Sequence, residues 1–399
     1  MDNVKLIAQY LEKGSKGEQT DLVGIELEHF VLKKDTHENI GFYGKNGVGE
    51  ILNRMSAHFE KEFYSEGILI ALANEKYSIT LEPSSQLEIS LAPVGNISDA
   101  EKIYSDFRKL TDPMLAEYGY ELVCSGYREK GRADELELIP KKRYEFMNKY
   151  FENTGKCGKN MMRATASAQI SIDYADEKDC AKKFRVANIL SPVFSLICDN
   201  SPYFEGEIYD GRMARTHVWN NVDSDRCGIV PFGDSFSFEE YARYIYERPA
   251  ILVLNGGEAV FTGNMPISEI YRDKEINEEE IEHILSMFFP DVRLKRYIEI
   301  RPADSMPIDY TLSYAALVKG IFKDCDKFDF YNITSSDVVA AKESIVKYGF
   351  DAVIYGKKAY EICDMMLDTA LNNLNDGDRK YIAPLEAIIR ERKTLKERN

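Results

Sequence analysis

The sequence predicts an α+β fold, in which mainly antiparallel strands are separated by helices. Short segments with alternating polar and apolar residues recur as far as Arg301, as expected of strands with one buried face. Helical spacing of apolar residues lies between them without a regular strand–helix–strand rhythm, and it dominates after Asp304. A chain of 399 residues is long enough for a large hydrophobic core.

The first half of the chain alternates between helices and strands. Apolar spacing predicts an amphipathic helix at Asp2–Lys13, and Ser98 followed by Asp99 marks the start of a helix that runs to Tyr118. The glycine-rich segment Phe42–Gly49 lacks the ending of a phosphate-binding loop, which indicates a plain loop. Further predictions are helices at Glu50–Phe63, Lys141–Tyr150 and Asp176–Asp199, and strands at Ile68–Asn74, Tyr77–Ile79 and Leu122–Tyr127.

The second half of the chain is increasingly helical. Helices are predicted to begin at Phe238 and Glu278, on either side of short strands around Ala250–Phe261. Helical spacing then recurs at Tyr310–Lys323, Ser335–Lys347, Lys357–Leu374 and Asp378–Lys393. We therefore expect residues 1–304 to form a catalytic core and residues 305–399 a helical region packed on it, the two together making one continuous domain.

Four of the predicted strands carry carboxylates, amides and arginines on one face. Leu81–Leu91 alternates Glu82, Ser84, Gln86, Glu88 and Ser90 with a mostly apolar set. The other three are Val23–Phe30 with Glu26 and Glu28, Arg163–Asp173 with Arg163 and Gln169, and Tyr297–Arg301 with Glu299 and Arg301. Each alone is also typical of a half-buried strand with its polar face in water. Their recurrence without any lysine favours a shared functional face.

Composition excludes several classes of partner. The net charge of −16 argues against nucleic acid and against anionic membrane surfaces. The longest apolar stretch, near Ile189–Cys198, is short and interrupted by Pro192, so no membrane span is expected. Seven cysteines without metal-binding or redox spacing indicate reduced thiols. The expectation is a cytoplasmic monomer or homodimer that binds small molecules.

The acidic strands indicate a divalent metal site. If they are neighbours, Glu26, Glu28, Glu82, Glu88 and Glu299 form a cluster of like charges that repel each other unless cations bind there. Oxygen ligands without histidine or cysteine favour Mg²⁺ or Mn²⁺ over zinc. His29 falls on the apolar face and is expected to pack in the core. Magnesium held by carboxylates, with arginines nearby, is typical of phosphoryl transfer.

The loop Arg212–Phe232 adds further cations. Its guanidinium groups at Arg212, Arg215 and Arg226 suit the binding of substrate carboxylates. The alternative is a surface loop whose arginines are solvated, and the loop sequence alone leaves both interpretations open.

Five motifs in order are GIELEHF, LEPSSQLEIS, MMRATASAQISIDY, NSPYFEGEIYDGRMARTHVW followed by DSDRCGIVPF, and YIEIRPAD. Together they resemble the glutamate–cysteine ligase family, and most closely its plant and proteobacterial branch. The motifs run from residue 24 to residue 304, and the C-terminal helices match only loosely.

The resemblance implies a glutamine-synthetase-like fold, in which a curved, mainly antiparallel sheet forms an active-site funnel. It implies that ATP phosphorylates the γ-carboxylate of L-glutamate and that the amine of L-cysteine then attacks. The product is γ-glutamylcysteine, the first step of glutathione-type thiol synthesis. By position, the ligands of two or three Mg²⁺ or Mn²⁺ ions would be Glu26, Glu28, Glu82, Glu88, Glu299 and, less securely, Gln169.

The same resemblance gives the other candidates their roles. Arg301 would contact the phosphates of ATP, and Arg163 and Arg215 would hold a substrate carboxylate or phosphate as the other catalytic candidates. The residues Arg226, Trp219 and Gln86 would line the substrate and ATP sites.

The sequence also departs from the family pattern. Ser84 and Ser85 replace glycines, Ala164 and Ala166–Ala168 replace bulkier residues, and Pro302 replaces the glycine before Ala303-Asp304. These changes leave the metal and phosphate residues in place but leave the amine acceptor open. The alternatives are a ligase of the same fold that uses another amine, and a non-catalytic relative that binds nucleotide or amino acid. Glu82→Gln or Glu299→Gln is predicted to abolish ATP turnover while the protein remains folded.

Overall fold

The computed structural model describes residues 2–233, 236–330 and 332–398 and has the predicted α+β architecture. In chain order the strands are β1 (Val23–Lys33), β2 (Lys61–Ser65), β3 (Ile68–Ala73), β4 (Tyr77–Leu81), β5 (Leu87–Val94), β6 (Tyr120–Val123), β7 (Ala168–Ile172), β8 (Tyr203–Phe204), β9 (Glu207–Ile208), β10 (Cys227–Gly228), β11 (Pro249–Asn255), β12 (Glu258–Pro266), β13 (Phe289–Pro290), β14 (Val292–Leu294), β15 (Ile298–Ile300), β16 (Val353–Ile354) and β17 (Lys357–Lys358).

The helices lie between these strands and follow them. In chain order they are α1 (Asn3–Glu12), α2 (Val48–Met55), α3 (Ile97–Ala116), α4 (Lys142–Phe151), α5 (Gly158–Ala164), α6 (Glu177–Ile197), α7 (Ala214–Trp219), α8 (Phe238–Tyr246), α9 (Ile267–Ile270), α10 (Glu278–Ser286), α11 (Ile308–Phe322), α12 (Ser335–Tyr348), α13 (Ala359–Asn373), α14 (Asp376–Arg379), α15 (Ala383–Glu391) and α16 (Leu395–Arg398). No helix in the described ranges is long and apolar enough to cross a membrane.

A large antiparallel sheet organises the molecule. Its strand order is β14-β15-β7-β1-β5-β4-β3-β2, and β6 pairs with the second half of β1. In the pairing of β1 with β7, Glu26 lies opposite Gln169, and in the pairing of β1 with β5, Glu28 lies opposite Glu88. On the other side of β7, Glu299 lies opposite Ser171. The acidic strands are therefore neighbours, as the sequence predicted.

The two faces of the sheet have different environments. The apolar face of β1 packs against α11, and α3 packs on the neighbouring strands β5 and β6. His29 is buried on this face, where its Nδ1 lies 3.2 Å from the carbonyl oxygen of Leu87 and its Nε2 lies 3.0 Å from the hydroxyl of Tyr104. Burial lowers the pKa of His29 to about 3, so the ring is neutral. The prediction of a core histidine is confirmed.

The helices after Asp304 pack directly on the sheet and on each other. Helix α11 contacts β1, β7 and α3, and it packs closely against α13 and α15. The predicted division at residue 304 stays a prediction, because these contacts continue one core across it. All seven cysteines are free thiols.

Gly320→Ala is expected to lower the free energy of unfolding by about 1–3 kcal/mol, because overpacking a close helix contact forces the backbones apart. A Cβ atom at Gly320 would lie 2.6 Å from the Cα of Ala370 in α13. Urea unfolding measures this effect. Gly95→Ala is the control, since its Cβ would meet only Leu22 Cδ2 at 3.8 Å. Equal stability of both variants would contradict the close packing of α11 on α13.

The segment Leu81–Leu91 is a hairpin and not the single strand that we predicted. Strand β4 ends at Leu81 and β5 begins at Leu87. The turn is closed by the N–H of Glu82, which donates to the carbonyl of Gln86 at 2.9 Å, and Ser85 adopts a left-handed conformation with φ of +69°. Proline and serine at positions 83–85 favour such a turn, but the polar alternation continues through it and conceals it.

Two other predicted elements are wrong in extent. Arg163 belongs to helix α5, and strand β7 begins only at Ala168, because the methionines and alanine around Arg163 favour helix. The helix predicted over Glu50–Phe63 ends at Met55, and β2 follows at Lys61. The turn between β2 and β3 has two left-handed residues, Glu66 and Gly67, which matches the twist of a hairpin.

Candidate active site

A cavity of about 230 Å³ opens on the polar face of the central strands. It contains most of the predicted site residues: Glu26, Glu28, Glu82, Gln86, Glu88, Gln169, Arg215, Trp219 and Arg301. They come from β1, the β4–β5 turn, β5, β7, the short helix α7 and the residue that follows β15. The structure therefore brings residues far apart in the chain to one wall.

A larger cleft of about 720 Å³ lies beside the start of β1 and the end of β7. Its buried lysines are already neutralised by aspartates: Lys183 lies 2.8 Å from Asp179, and Lys319 lies 2.6 Å from Asp378. The smaller cavity differs because, among the described residues, its glutamates Glu26, Glu28, Glu82 and Glu88 form no ion pair with a cation. We therefore place the chemistry in the smaller cavity.

The carboxylates of the cavity repel each other. Glu26 and Glu28 are partly exposed to the cavity, but protein surrounds them, and burial followed by repulsion from the other glutamates raises the pKa of each to about 8. Burial and the neighbouring Glu82 raise the pKa of Glu88 to about 7. The carboxylate of Glu28 accepts hydrogen bonds from the N–H and the hydroxyl of Ser167, at 2.8 and 2.9 Å.

This donor set fits a hard divalent cation. The side chains offer oxygen ligands, and burial together with mutual repulsion raises the pKa values of the glutamates, which a bound cation would offset. In the described part of the chain, no three histidine, cysteine or acidic side chains already converge on one metal position. The residues that would hold Mg²⁺ or Mn²⁺ are Glu26, Glu28 and Glu88, with Glu82 and Gln169 beside them, and binding has to draw their oxygens together.

Glu299 lies behind the cavity wall and does not line it. Its carboxylate is fully buried, and its Oε2 accepts hydrogen bonds from Arg293 Nε at 2.6 Å and Arg301 Nη1 at 2.9 Å. Burial alone would raise the pKa of Glu299, but Arg293, Lys295 and Arg301 outweigh it and hold that pKa well below the usual range. The geometry therefore differs from the predicted ligand role and makes Glu299 the counter-ion of three cations.

Arg163 and Arg226 are not brought to the cavity. Arg163 lies on α5 and donates to the side chain of Asn148 at 2.6 Å and to the carbonyl of Leu136 at 2.7 Å. Arg226 is fully buried and pairs with Asp223 at 2.6 Å. Both guanidinium groups are occupied in holding loops, which corrects their predicted roles in substrate binding.

The cavity also contains cations that the sequence reasoning missed: Arg143, Arg293 and Lys295. The guanidinium of Arg143, on α4, donates to the hydroxyl and the carbonyl of Ser286, and its buried Nε has no partner. The sequence predicted a helix at Lys141–Tyr150, but it did not show which side of that helix lies against the strands. Arg293 and Lys295 precede the β15 motif and belong to the adjacent strand β14 and its turn.

Arg143 and Arg215 share an unusual property. Arg215 donates only to the carbonyl oxygens of Arg301 and Pro302, at 3.2 and 3.3 Å, and packs over the ring of Trp219 at 5.5 Å. Neither Arg143 nor Arg215 forms an ion pair with a carboxylate in the described ranges, and burial lowers the pKa of both. The partly exposed Arg143 and the buried Arg215 therefore have no carboxylate counter-ion among the described residues.

Comparison with known proteins identifies the family of the chain. Residues 22–391 match the model of glutamate-cysteine ligase family 2. The chain is 31% identical over 327 residues to the chloroplastic glutamate–cysteine ligase of Brassica juncea, covering 79% of this chain and 63% of that protein. It is 29% identical over 348 residues to the chloroplastic glutamate–cysteine ligase of Arabidopsis thaliana, covering 85% of this chain and 66% of that protein. The chain thus spans slightly less than two thirds of the length of these relatives.

A solved structure shows the same fold. Glutamate–cysteine ligase from Francisella tularensis, in complex with AMP, superimposes with a TM-score of 0.57 over 93% of this chain and 82% of that chain, at 10% identity. The match of the family model over nearly the whole chain shows the relationship directly. This chain is a member of glutamate-cysteine ligase family 2.

Proposed function

We propose that the protein is an ATP-dependent ligase that joins L-glutamate to L-cysteine through a γ-glutamyl phosphate. The observation that carries this proposal is the cavity in which a repulsive carboxylate cluster faces buried arginines without counter-ions. A carboxylate is a poor electrophile, and phosphorylation gives it a good leaving group. Such a reaction needs orientation and charge neutralisation and no protein nucleophile.

Different residues of the cavity would provide the charge neutralisation that this reaction needs. Bound Mg²⁺ or Mn²⁺ would supply positive charge to the phosphates of ATP. Arg301, held by Glu299 and Gln169, is placed to contact a phosphate oxygen beside the acidic cluster. Lys295 lies 3.6 Å from Glu299 and lines the same part of the cavity, so it adds a second cation for the transferred group.

The two unpaired arginines support an amino acid as acceptor. Glutamate and cysteine each carry an α-carboxylate, and Arg215 and Arg143 each lack an anionic partner. Arg215 comes from α7 and Arg143 from α4, so two separate carboxylates can be bound. A simple amine without a carboxylate would leave one buried cation uncompensated.

The departures from the family pattern lie mostly outside the cavity. Ser84 and Ser85 are buried in the β4–β5 turn, where the hydroxyl of Ser84 donates to the carbonyl of Glu137. Ala166 packs in a small cluster with Phe30. Because these side chains do not line the cavity, they give no reason to replace cysteine as the acceptor.

The test is phosphate release from ATP and Mg²⁺ with L-glutamate, with and without L-cysteine and against a panel of other amines. Turnover that needs both amino acids and yields the dipeptide is the expected result. Glutamate-dependent turnover that prefers another amine would keep the mechanism and change the acceptor. Absence of turnover with every pair would refute the proposed activity.

Mg²⁺ is expected to raise the melting temperature by several degrees at pH 8.5 and by little at pH 6. The cavity glutamates have folded pKa values of about 7 to 8, above their ordinary 4.5, so their contribution to stability declines as pH rises through that range. A cation that binds the ionised cluster restores the lost stability. Thermal unfolding with NaCl of equal ionic strength is the control, and equal shifts at both pH values would contradict metal binding by these glutamates.

The cellular context belongs to the same proposal. We propose a cytoplasmic protein, a monomer or homodimer, whose partners are small molecules and not nucleic acid. The net charge of −16 supports the exclusion of nucleic acid, since it disfavours binding to phosphate backbones.

A further inference from the structure

A buried ion pair ties the C-terminal helices to the candidate active site. Lys342, on α12, places its Nζ 2.7 Å from Oδ2 of Asp291, and the side chains are only 6% and 9% exposed. Asp291 lies between β13 and β14. The pair therefore joins the C-terminal helical region to the strand segment that precedes Arg293 and Arg301.

Asp291 is held beside Arg301 by the backbone. Its N–H donates to the carbonyl of Gly228 at 2.8 Å, and its own carbonyl accepts from the N–H of Arg301 at 2.9 Å. The side chains of Asp291 and Lys342 line a small void of about 20 Å³ together with Arg215 and Arg301. Two anion-binding arginines therefore lie next to a buried carboxylate.

In the described part of the chain, Lys342 is the ion-pair partner of that carboxylate. Arg215 feels the negative charge of Asp291 but forms no ion pair with it, and its Nε stays without a hydrogen-bond partner. A buried carboxylate that loses its counter-ion attracts the nearest cation strongly, because little water screens it. The other cations that line the void are Arg215 and Arg301, and Arg301 is already paired with Glu299.

We infer that Lys342 is a positioning residue: it neutralises Asp291 and so keeps Arg215 free to bind an anionic substrate. The inference rests on the proposed function, because it assigns Lys342 to the substrate arginines of that site. It also makes the C-terminal helical region a required part of the active site.

Lys342→Met is the direct test. The KM for L-glutamate is expected to rise at least about tenfold, with a smaller change in kcat, because Asp291 withdraws Arg215 from the substrate. The double variant Asp291→Asn with Lys342→Met removes the competing carboxylate, and its KM is expected within about threefold of wild type. If the pair had only a structural role, the double variant would not restore the KM.

Lys319→Met is the matched control. Lys319 and Asp378 form another buried pair, 2.6 Å apart and 5% and 2% exposed, which joins a C-terminal helix to α14 away from the cavity. Loss of this pair is expected to lower the melting temperature and leave KM unchanged. If Lys342→Met does not fold, Lys342→Gln keeps a hydrogen-bond donor for Asp291 without the charge and is expected to show the same rise in KM.

Binding of L-glutamate measured by titration calorimetry separates the two hypotheses. A wild-type protein that does not turn over but binds glutamate would refute the proposed activity, and the same comparison of variants would still test Lys342. Equal glutamate affinity in wild type and Lys342→Met would overturn the inference, as would failure of the double variant to restore binding while it remains folded.

Discussion

Glu26→Gln is expected to make the metal-free protein more stable at pH 8 by about 1–3 kcal/mol, since a pKa shift of one unit corresponds to about 1.4 kcal/mol and coupled groups share it. With the proposed function, the same substitution is expected to lower ATP turnover at least about a hundredfold, because the proposed metal site loses one charged ligand. Glutamine has the shape of glutamate but no charge, so it removes repulsion from Glu88 and Glu299 without opening a cavity. A gain in stability with a loss of function identifies a site that is strained for its task.

The pH dependence provides an internal control for this prediction. The pKa of Glu26 is about 8 in the folded protein, against an ordinary value of 4.5, so the side chain is already neutral at pH 5. The gain from Glu26→Gln is therefore expected to be small at pH 5 and to grow toward pH 8 in urea unfolding with EDTA. Glu60→Gln, at an exposed position, serves as the matched variant and is expected to change neither property. A less stable Glu26→Gln protein at pH 8 would contradict the repulsive cluster.

The acidic face was predictable from sequence because alternation along a strand places every second side chain on the same face of the sheet. Alternation alone placed Glu26 and Glu28 together, and antiparallel pairing of neighbouring strands set Gln169 and Glu88 beside them. The same alternation failed at the turn around Ser85, because polar turn residues continued the strand pattern.

The roles of the arginines depended on partners that periodicity does not supply. Arg215 and Arg226 lie in one loop, but Arg226 has an acid three residues earlier, at Asp223, and is neutralised by it. Arg215 has no acid at that spacing and is left for a ligand. The spacing of Asp223 and Arg226 was a readable signal. No comparable signal marked Arg143, since its face toward the cavity is set by helix packing.

The environment of Glu299 also depends on a partner that strand periodicity does not supply. Its alternation with Ile298 and Ile300 correctly predicted a strand, but the cross-strand partner decides its function. In the pairing of β14 with β15, Arg293 lies directly opposite Glu299. Its carboxylate is thus paired across the strands before any metal is considered, which the strand sequence alone did not show.

Glu299→Gln is therefore expected to lower the free energy of unfolding by about 3–5 kcal/mol at pH 8, because removal of one partner leaves buried cations uncompensated. This replaces the sequence-based expectation of an inactive but unperturbed protein. The pKa of Glu299 is held far below its ordinary value, so the carboxylate stabilises the fold above about pH 4.5, and that contribution is lost as the pH falls further. Urea unfolding near pH 8 and near pH 3 measures the difference.

Glu26→Gln and Glu299→Gln thus form a pair with opposite expected signs at pH 8. Both remove one charge from strands of one sheet, β1 and β15, which β7 separates, and both are expected to reduce turnover. Repulsion dominates around Glu26, whereas attraction to Arg293, Lys295 and Arg301 dominates around Glu299. If both variants lost stability equally, simple loss of buried hydrogen bonds would explain them and the division into an unbalanced cluster and a balanced one would fail. Opposite signs would establish that the glutamates at the cavity repel each other, whereas Glu299, behind the cavity wall, is neutralised by its neighbouring cations.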